Sequence, residues 1–253
     1  MSTMTVTYVG GPTAILEYAG LRILVDPTFD PPQSYESDGE SLTKTAAPGV
    51  ALEDLGHIDL VLLSHHEHED NLDTSGRELI LRLPTLSTAK AGIDLGKPVI
   101  GLDCWEAHRV GDVTITAAPA LHGPPGIEPL VGPVIGFVLE ANNEPTVYVS
   151  GDNASLDLVR QIADRFPDIE VAVLFAGAAR VPSIDGALTL TSEDAAAAAE
   201  ILGASTVIGV HTEDWAHFSE TRAQLEAAFA GTDRLVATPR GIPVELRLAA
   251  RTS

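Results

Sequence analysis

The sequence predicts one α/β domain built of two mixed β-sheets, with helices covering their outer faces. Two patterns predict it. The chain opens on short β-branched and aromatic runs separated by glycine and proline turns, and its second half alternates amphipathic helical stretches with short, continuously apolar runs. No break in composition divides the chain, so residues 1–253 are read as a single domain.

Strands are expected over residues 5–9, 14–18 and 21–25, punctuated by Gly10-Gly11-Pro12 and Ala19-Gly20. Residues 26–50 carry Asp-Pro, Pro-Pro and Ser-Asp-Gly and few apolar positions, which reads as a long loop forming part of a pocket wall. Residues 60–63 are a buried strand, and Asp73 caps a helix over 76–83 that stops before Pro84. Further strands are expected at 99–101, 107–110, 113–117, 134–140 and 146–150. Then come a helix at 156–166, a strand at 170–175, and a helix at 193–202 after the Thr191/Ser192 cap. A strand at 205–210, a helix at 219–230 opened by Ser219, and strands at 235–238 and 244–248 complete the order.

Charge and cysteine content narrow the function. With 15 Lys+Arg against 36 Asp+Glu, the formal net charge is −21, which argues against binding a phosphate backbone. The one cysteine, Cys104, excludes a disulfide framework and a cysteine zinc cluster. The first ten residues lack a basic, then apolar, leader pattern, and no run of 18 apolar residues occurs. The expectation is a cytoplasmic protein that acts on a small-molecule substrate, with no nucleic-acid or membrane partner; self-association is left open.

The chemistry gathers in Ser64-His65-His66-Glu67-His68-Glu69-Asp70-Asn71-Leu72-Asp73, directly after the apolar run 60–63. Imidazole and carboxylate are the usual ligands of zinc and similar divalent ions, and a strand end is a rigid mount for them. Three more signals end strands: His122, Asp152 after Gly151, and His211. Each alone is more often a structural histidine or a turn. The order of cluster, His, Asp, His is specific.

That order resembles the metallo-β-lactamase superfamily of metal-dependent hydrolases, whose motif is His-x-His-x-Asp-His followed by a His, an Asp and a His. The resemblance covers nearly the whole chain and implies an αββα sandwich with the metals at one edge between the sheets. Leu24-Val25-Asp26-Pro27 and His211…Trp215-Ala216-His217-Phe218 resemble its ascorbate-6-phosphate lactonase-like branch. The cluster departs from the motif by one residue. Read back from Asp70, it aligns as His66-Glu67-His68-Glu69-Asp70-Asn71, with Asn71 in place of the last His. Read forward from Ser64, it offers His65 and Glu67. Relatives with Ser-His-Asp-His-His-x-Asp-Asn-Leu-Asp match at His65 and His68. The first register is preferred because it keeps three of four ligand types.

The resemblance then implies that His66, His68 and His122 hold one divalent ion and that Asp70, Asp152 and His211 hold a second, with Asp152 bridging and His65 the alternative ligand. Zinc is the first expectation, manganese or iron the others. It further implies hydrolysis of a small ester, lactone or phosphodiester by a metal-bound hydroxide that Asp70 orients. His217 is a candidate to protonate the leaving group, and Asn71 is expected to hydrogen-bond. Asp26 is read as orienting a ligand histidine or making a turn. Arg180 is read as holding an anionic substrate group or, in preference, a surface salt bridge. The altered cluster keeps open a second function, a member that binds metal or ligand without efficient turnover.

Overall fold

The computed structural model describes residues 3–37 and 40–248. The strands are β1 (Thr3–Gly10), β2 (Thr13–Tyr18), β3 (Leu21–Val25), β4 (Gln33–Ser37), β5 (Glu40–Lys44), β6 (Leu60–Leu62), β7 (Thr85–Thr88) and β8 (Val99–Leu102). They continue as β9 (Ala107–Val110), β10 (Val113–Pro119), β11 (Ile135–Glu140), β12 (Thr146–Val149), β13 (Ile169–Phe175), β14 (Thr206–Val210) and β15 (Pro243–Arg247). The α-helices are α1 (Thr74–Ile80), α2 (Ala89–Leu95), α3 (Glu128–Val131), α4 (Leu156–Arg165), α5 (Ser192–Leu202) and α6 (Arg222–Ala228). One sheet runs β15-β1-β2-β3-β6-β7-β8, a second runs β14-β13-β12-β11-β10-β9, and β4-β5 pair as a separate hairpin.

The layering follows from strands that are apolar on both faces. In β13, Val171, Val173 and Phe175 point into the core between the sheets, while Ala172 and Leu174 point to the helices. Val6, Leu16, Ile23, Leu60 and Leu62 of the first sheet meet the former group. On the outer face of the second sheet α5 presents Ala195, Ala198, Ala199 and Leu202, one stripe at helical spacing. Its small side chains let the helix approach closely. On the other outer face α1 and α2 bury Leu79, Ile80 and Ala91 against Ile15, Leu24 and Val61. The order is helices, sheet, sheet, helices, as the sequence leads one to expect.

Strand direction places the site. β3, β6, β7 and β8 are mutually parallel. In the second sheet β10 and β12 each pair antiparallel with β11, and β13 and β14 run parallel to β12. So β10, β12, β13 and β14 all end at one edge of that sheet. Open α/β sheets bind ligands beyond the carboxyl ends of their strands.

Several elements differ from the sequence reading. The stretch 26–50 contains the β4–β5 hairpin, whose polar sequence hides its pairing; Asp38 and Gly39 of its turn lie outside the described residues. β7 and α2 were not foreseen because they are short and Ser/Thr- or Gly-containing. Residues 235–238 make a single bridge, Val207 to Leu235, rather than a strand. Helix α6 starts at Arg222 under a Thr221–Gln224 capping box. Ser219 instead donates to the Ala178 carbonyl, and Glu220 accepts from Ser192 N–H at the start of α5. Among the described residues no helix is long and apolar enough to cross a membrane.

Candidate metal centre

Six side chains converge where the strand ends of the two sheets meet. Leaving β6, the chain makes the turn 64–73; His68 O accepts from Asn71 and Leu72 N–H, and Leu72 is buried against the outer core. Asp73 caps α1 by accepting from Gly76 N–H. The Ser64 carbonyl accepts from Ile135 N–H at 3.1 Å, which ties this turn to the second sheet. His122, Asp152 and His211 follow β10, β12 and β14.

The donor atoms form two groups. His65, His68 and His122 make one, Asp70, Asp152 and His211 the other, each with its ligand atoms within 4.8 Å of one another. His65 Nε2 and His122 Nε2 lie 2.9 and 3.2 Å from His68 Nδ1. His211 Nε2 lies 3.3 Å from Asp70 Oδ2 and 3.5 Å from Asp152 Oδ1. His122 Nε2 is 3.7 Å from Asp152 Oδ2, so Asp152 stands between the groups.

A buried hydrogen-bond chain aims these ligands. Asp26 accepts from Ser64 N–H at 2.6 Å, from Ser64 Oγ–H at 2.7 Å and from Asn71 Nδ2 at 3.1 Å. With its hydrogen given to Asp26, Ser64 Oγ accepts from His65 Nδ1 at 3.0 Å, which leaves the His65 Nε2 lone pair for the site. The Leu188 carbonyl holds His122 Nδ1 at 2.9 Å to the same effect. Asn71 Nδ2 also lies 3.3 Å from Asp152 Oδ1. Every partner of Asp26 here is a donor. Asp26→Asn turns an amide N–H₂ toward donors and is expected to lower metal affinity about 10- to 100-fold, measured as bound metal against free ion. Unchanged affinity would remove Asp26 from this role.

Burial sets the charge states. It holds His65 well below its usual pKa, aided by the neighbouring His68 and His122, and it brings His68 and His122 each down to about 4. All three imidazoles are therefore neutral at pH 7, the form that binds metal. Burial pushes Asp26 up to about 7, against the hydrogen bonds from Ser64 and Asn71. It also raises Asp152. Burial would raise Asp70 too, but His217 and His211 outweigh it and hold that carboxyl well below the carboxylate range.

The residues fit a pair of divalent ions. Asp152 Oδ2 and both ring nitrogens of His211 are buried without a hydrogen-bond partner among the described residues, a costly arrangement unless a cation satisfies them. His211 also has φ of 60°, left-handed for a residue with a Cβ. It is held there by His211 N–H on the Gly11 carbonyl at 2.6 Å and by rings on both sides, Phe175 at 5.4 Å and Phe218 at 3.9 Å between centroids.

A cavity of about 530 Å³ opens onto His68, Asp70, His122 and His217, walled by Leu130, Val131 and Ile184 and, from the hairpin, by Leu42. The hairpin wall is anchored at its base. Lys44, 3% exposed, places Nζ 3.1 Å from Asp73 Oδ2, and Ala216 N–H donates to Thr43 O. The stretch 26–50 thus supplies pocket wall as read from sequence.

His65, His68, Asp70, His122, Asp152 and His211 come together as described, and His217 joins them with Nε2 2.9 Å from Asp70 Oδ2. His66 does not. Its Nε2 lies 3.0 Å from Asp94 Oδ2, on the far side of the turn, and its backbone N–H bonds Glu67. The preferred register is corrected: His65, not His66, stands with His68, because the turn places two residues, His66 and Glu67, between the two inward rings. Arg180 makes no ion pair among the described residues, against the expected surface salt bridge. Ser64 and Phe218 stand in the motifs without a role assigned from sequence; Ser64, directly before the first histidine of the cluster, aims His65, and Phe218 packs on His211.

The chain matches the family model described as "Beta-lactamase superfamily domain" over residues 21–212. It belongs to that family, within the metallo-β-lactamase superfamily of hydrolases. A UPF0173 metal-dependent hydrolase of Methanosphaerula palustris is 31% identical over 199 residues, 74% of this chain and 84% of that protein. Among solved structures, a possible metal-dependent hydrolase from Veillonella parvula has a TM-score of 0.83 at 20% identity, covering 96% of this chain and 99% of its own. An isothiocyanate hydrolase from Delia radicum gut bacteria has 0.81 at 24%, covering 98% and 100%. These two likenesses are of fold.

Proposed function

We propose that the protein is a metal-dependent hydrolase of a small ester, lactone or phosphodiester. His65, His68 and His122 would hold one divalent ion and Asp70, Asp152 and His211 a second, with zinc first and manganese or iron as alternatives. The observation that carries this reading is the pair of adjoining donor groups whose buried Asp152 Oδ2 and His211 Nε2 have no hydrogen-bond partner among the described residues. When bound, such ions act as Lewis acids and make a bound water nucleophilic near neutral pH.

The chain's own residues supply the rest. Neutral His65, His68 and His122 hold the ion through lone pairs that Ser64 and the Leu188 carbonyl aim. Asp70 accepts a hydrogen bond from His217 Nε2–H, which keeps that proton at the cavity wall, in reach of a leaving oxygen. Leu130, Val131 and Ile184 give the cavity an apolar side that excludes water from the bound substrate.

Elemental analysis of the purified protein is expected to find about one or two divalent ions per chain. Bis-p-nitrophenyl phosphate, p-nitrophenyl acetate and simple lactones then test turnover, with Asp152→Ala expected to lose at least about 100-fold. Metal without turnover of any of these would favour the binding-only reading, and no metal after reconstitution would end both.

A further inference from the structure

We infer that Arg180 is a specificity-determining residue of this site, receiving an oxyanion, carboxylate or phosphate, that the substrate carries away from its scissile bond. The inference rests on the hydrolase reading above and adds a substrate class to it.

Arg180 is set apart by what its neighbours in charge are doing. The side chains of Arg22, Lys44, Lys90, Arg109, Arg160, Arg222 and Arg240 pair with acids. Arg77 and Arg234 are spent on backbone carbonyls, and Arg165 lies over the Trp105 ring. Arg82, Lys97 and Arg180 have no side-chain partner among the described residues. Of these three, Arg180 is the one that lines the groove beside the metal cavity.

That cavity is a groove of about 500 Å³ formed with Ser41, Leu42, Ser183 and His217. Leu42, Val181, Ser183 and His217 also border the metal cavity, so groove and metal cavity are continuous around His217. Their charges are opposed. Glu67, Glu69 and Asp70 line the metal end, whereas no carboxylate of the described residues lines the groove. In a chain of net charge −21, an anion finds few places without repulsion, and this one also offers a free guanidinium. A guanidinium presents a planar fork of donors that matches carboxylate and phosphate oxygens.

The base of the arginine is fixed although its side chain is exposed. Arg180 N–H donates to the His217 carbonyl at 2.9 Å, and Ala179 bridges Phe218. The residue is therefore held opposite the histidine that touches Asp70. A substrate with its scissile bond at the metals and an oxyanion along the groove would meet both.

The test compares two esters with one leaving group, p-nitrophenyl acetate and mono-p-nitrophenyl glutarate. The wild-type protein is expected to prefer the glutarate ester in kcat/KM, and Arg180→Gln to cut that ratio about threefold to tenfold, as for an exposed charge-assisted contact. High salt should shrink the wild-type ratio as well. Arg82→Gln, a change at an exposed residue that lines neither cavity, is the control and should keep it. A readout without turnover accompanies it: titration calorimetry of glutarate and of glycerol 3-phosphate into the metal-loaded protein. Kd should rise about threefold to tenfold in Arg180→Gln and less in Arg180→Lys, and the tighter of the two anions names the group. Equal binding by wild type and Arg180→Gln, or no binding of either anion by wild type, overturns the inference. If neither ester is hydrolysed, the phosphodiester and lactone assays decide the hydrolase reading, while the calorimetry still decides the role of Arg180.

Discussion

His65→Ala is expected to cost the protein its ion at the three-histidine group and at least about 100-fold in hydrolysis, while His66→Ala keeps metal and activity. The two substitutions are chemically identical and adjacent in sequence, so their contrast reads only the direction of each ring. His65 is fully buried, its Nε2 among the nitrogens of His68 and His122 and its Nδ1 on Ser64. His66 turns to Asp94, beside Lys90. Losing that contact costs stability, about 1 kcal/mol for a mostly buried surface-facing ring, but removes no donor from either group. Metal content per chain and kcat/KM for the best ester are the measurements. Equal loss in both variants would mean that the turn 64–73 presents its histidines differently.

Gly177→Ala is expected to destabilise the protein by about 3 kcal/mol and to lower its metal content. Gly177 follows β13, and a Cβ there would lie 1.9 Å from the His211 carbonyl oxygen, with Phe218 Cβ at 3.3 Å. The obstacle is backbone, so no rotamer change relieves it. The segment carrying His211 has to move, and that segment is already committed to a left-handed φ and to the Gly11 carbonyl. Urea denaturation gives the stability change and elemental analysis the loss of metal. A variant with wild-type metal content and stability would show that β13 and the His211 segment separate easily.

The two-sheet plan was legible because the strands carry their own signature. Residues 60–63 and 171–175 are apolar on both faces, which only a sheet covered on both sides accommodates. The hairpin β4–β5 was not legible, since its strands join neither sheet, meeting the rest of the chain at an isolated bridge from Lys44 to Trp215, and its Leu42 faces the cavity rather than a core. His122, Asp152 and His211 could be chosen because each follows an apolar run. Within the cluster, sequence named the residue types but not their directions. Three consecutive choices, His65, His66 and Glu67, differ by which way a non-helical turn rotates, and no periodicity governs that. Ser64 and Asn71 fix the rotation through Asp26, some forty residues away in sequence, a distance visible only after folding.

The strand ends that build the centre belong to different sheets: the turn after β6 comes from one, His122, Asp152 and His211 from the other. An ion shared across that seam would act as a clasp between halves that otherwise meet through an apolar core and a few hydrogen bonds such as Ile135 N–H to the Ser64 carbonyl. Opening the seam then means releasing the ion, so loading and unfolding become one linked equilibrium rather than two independent ones. The same clasp limits evolutionary change unevenly. Residues along the seam answer to both sheets at once, whereas the exposed Arg180 and the hairpin's Leu42 belong to neither sheet and carry fewer such demands.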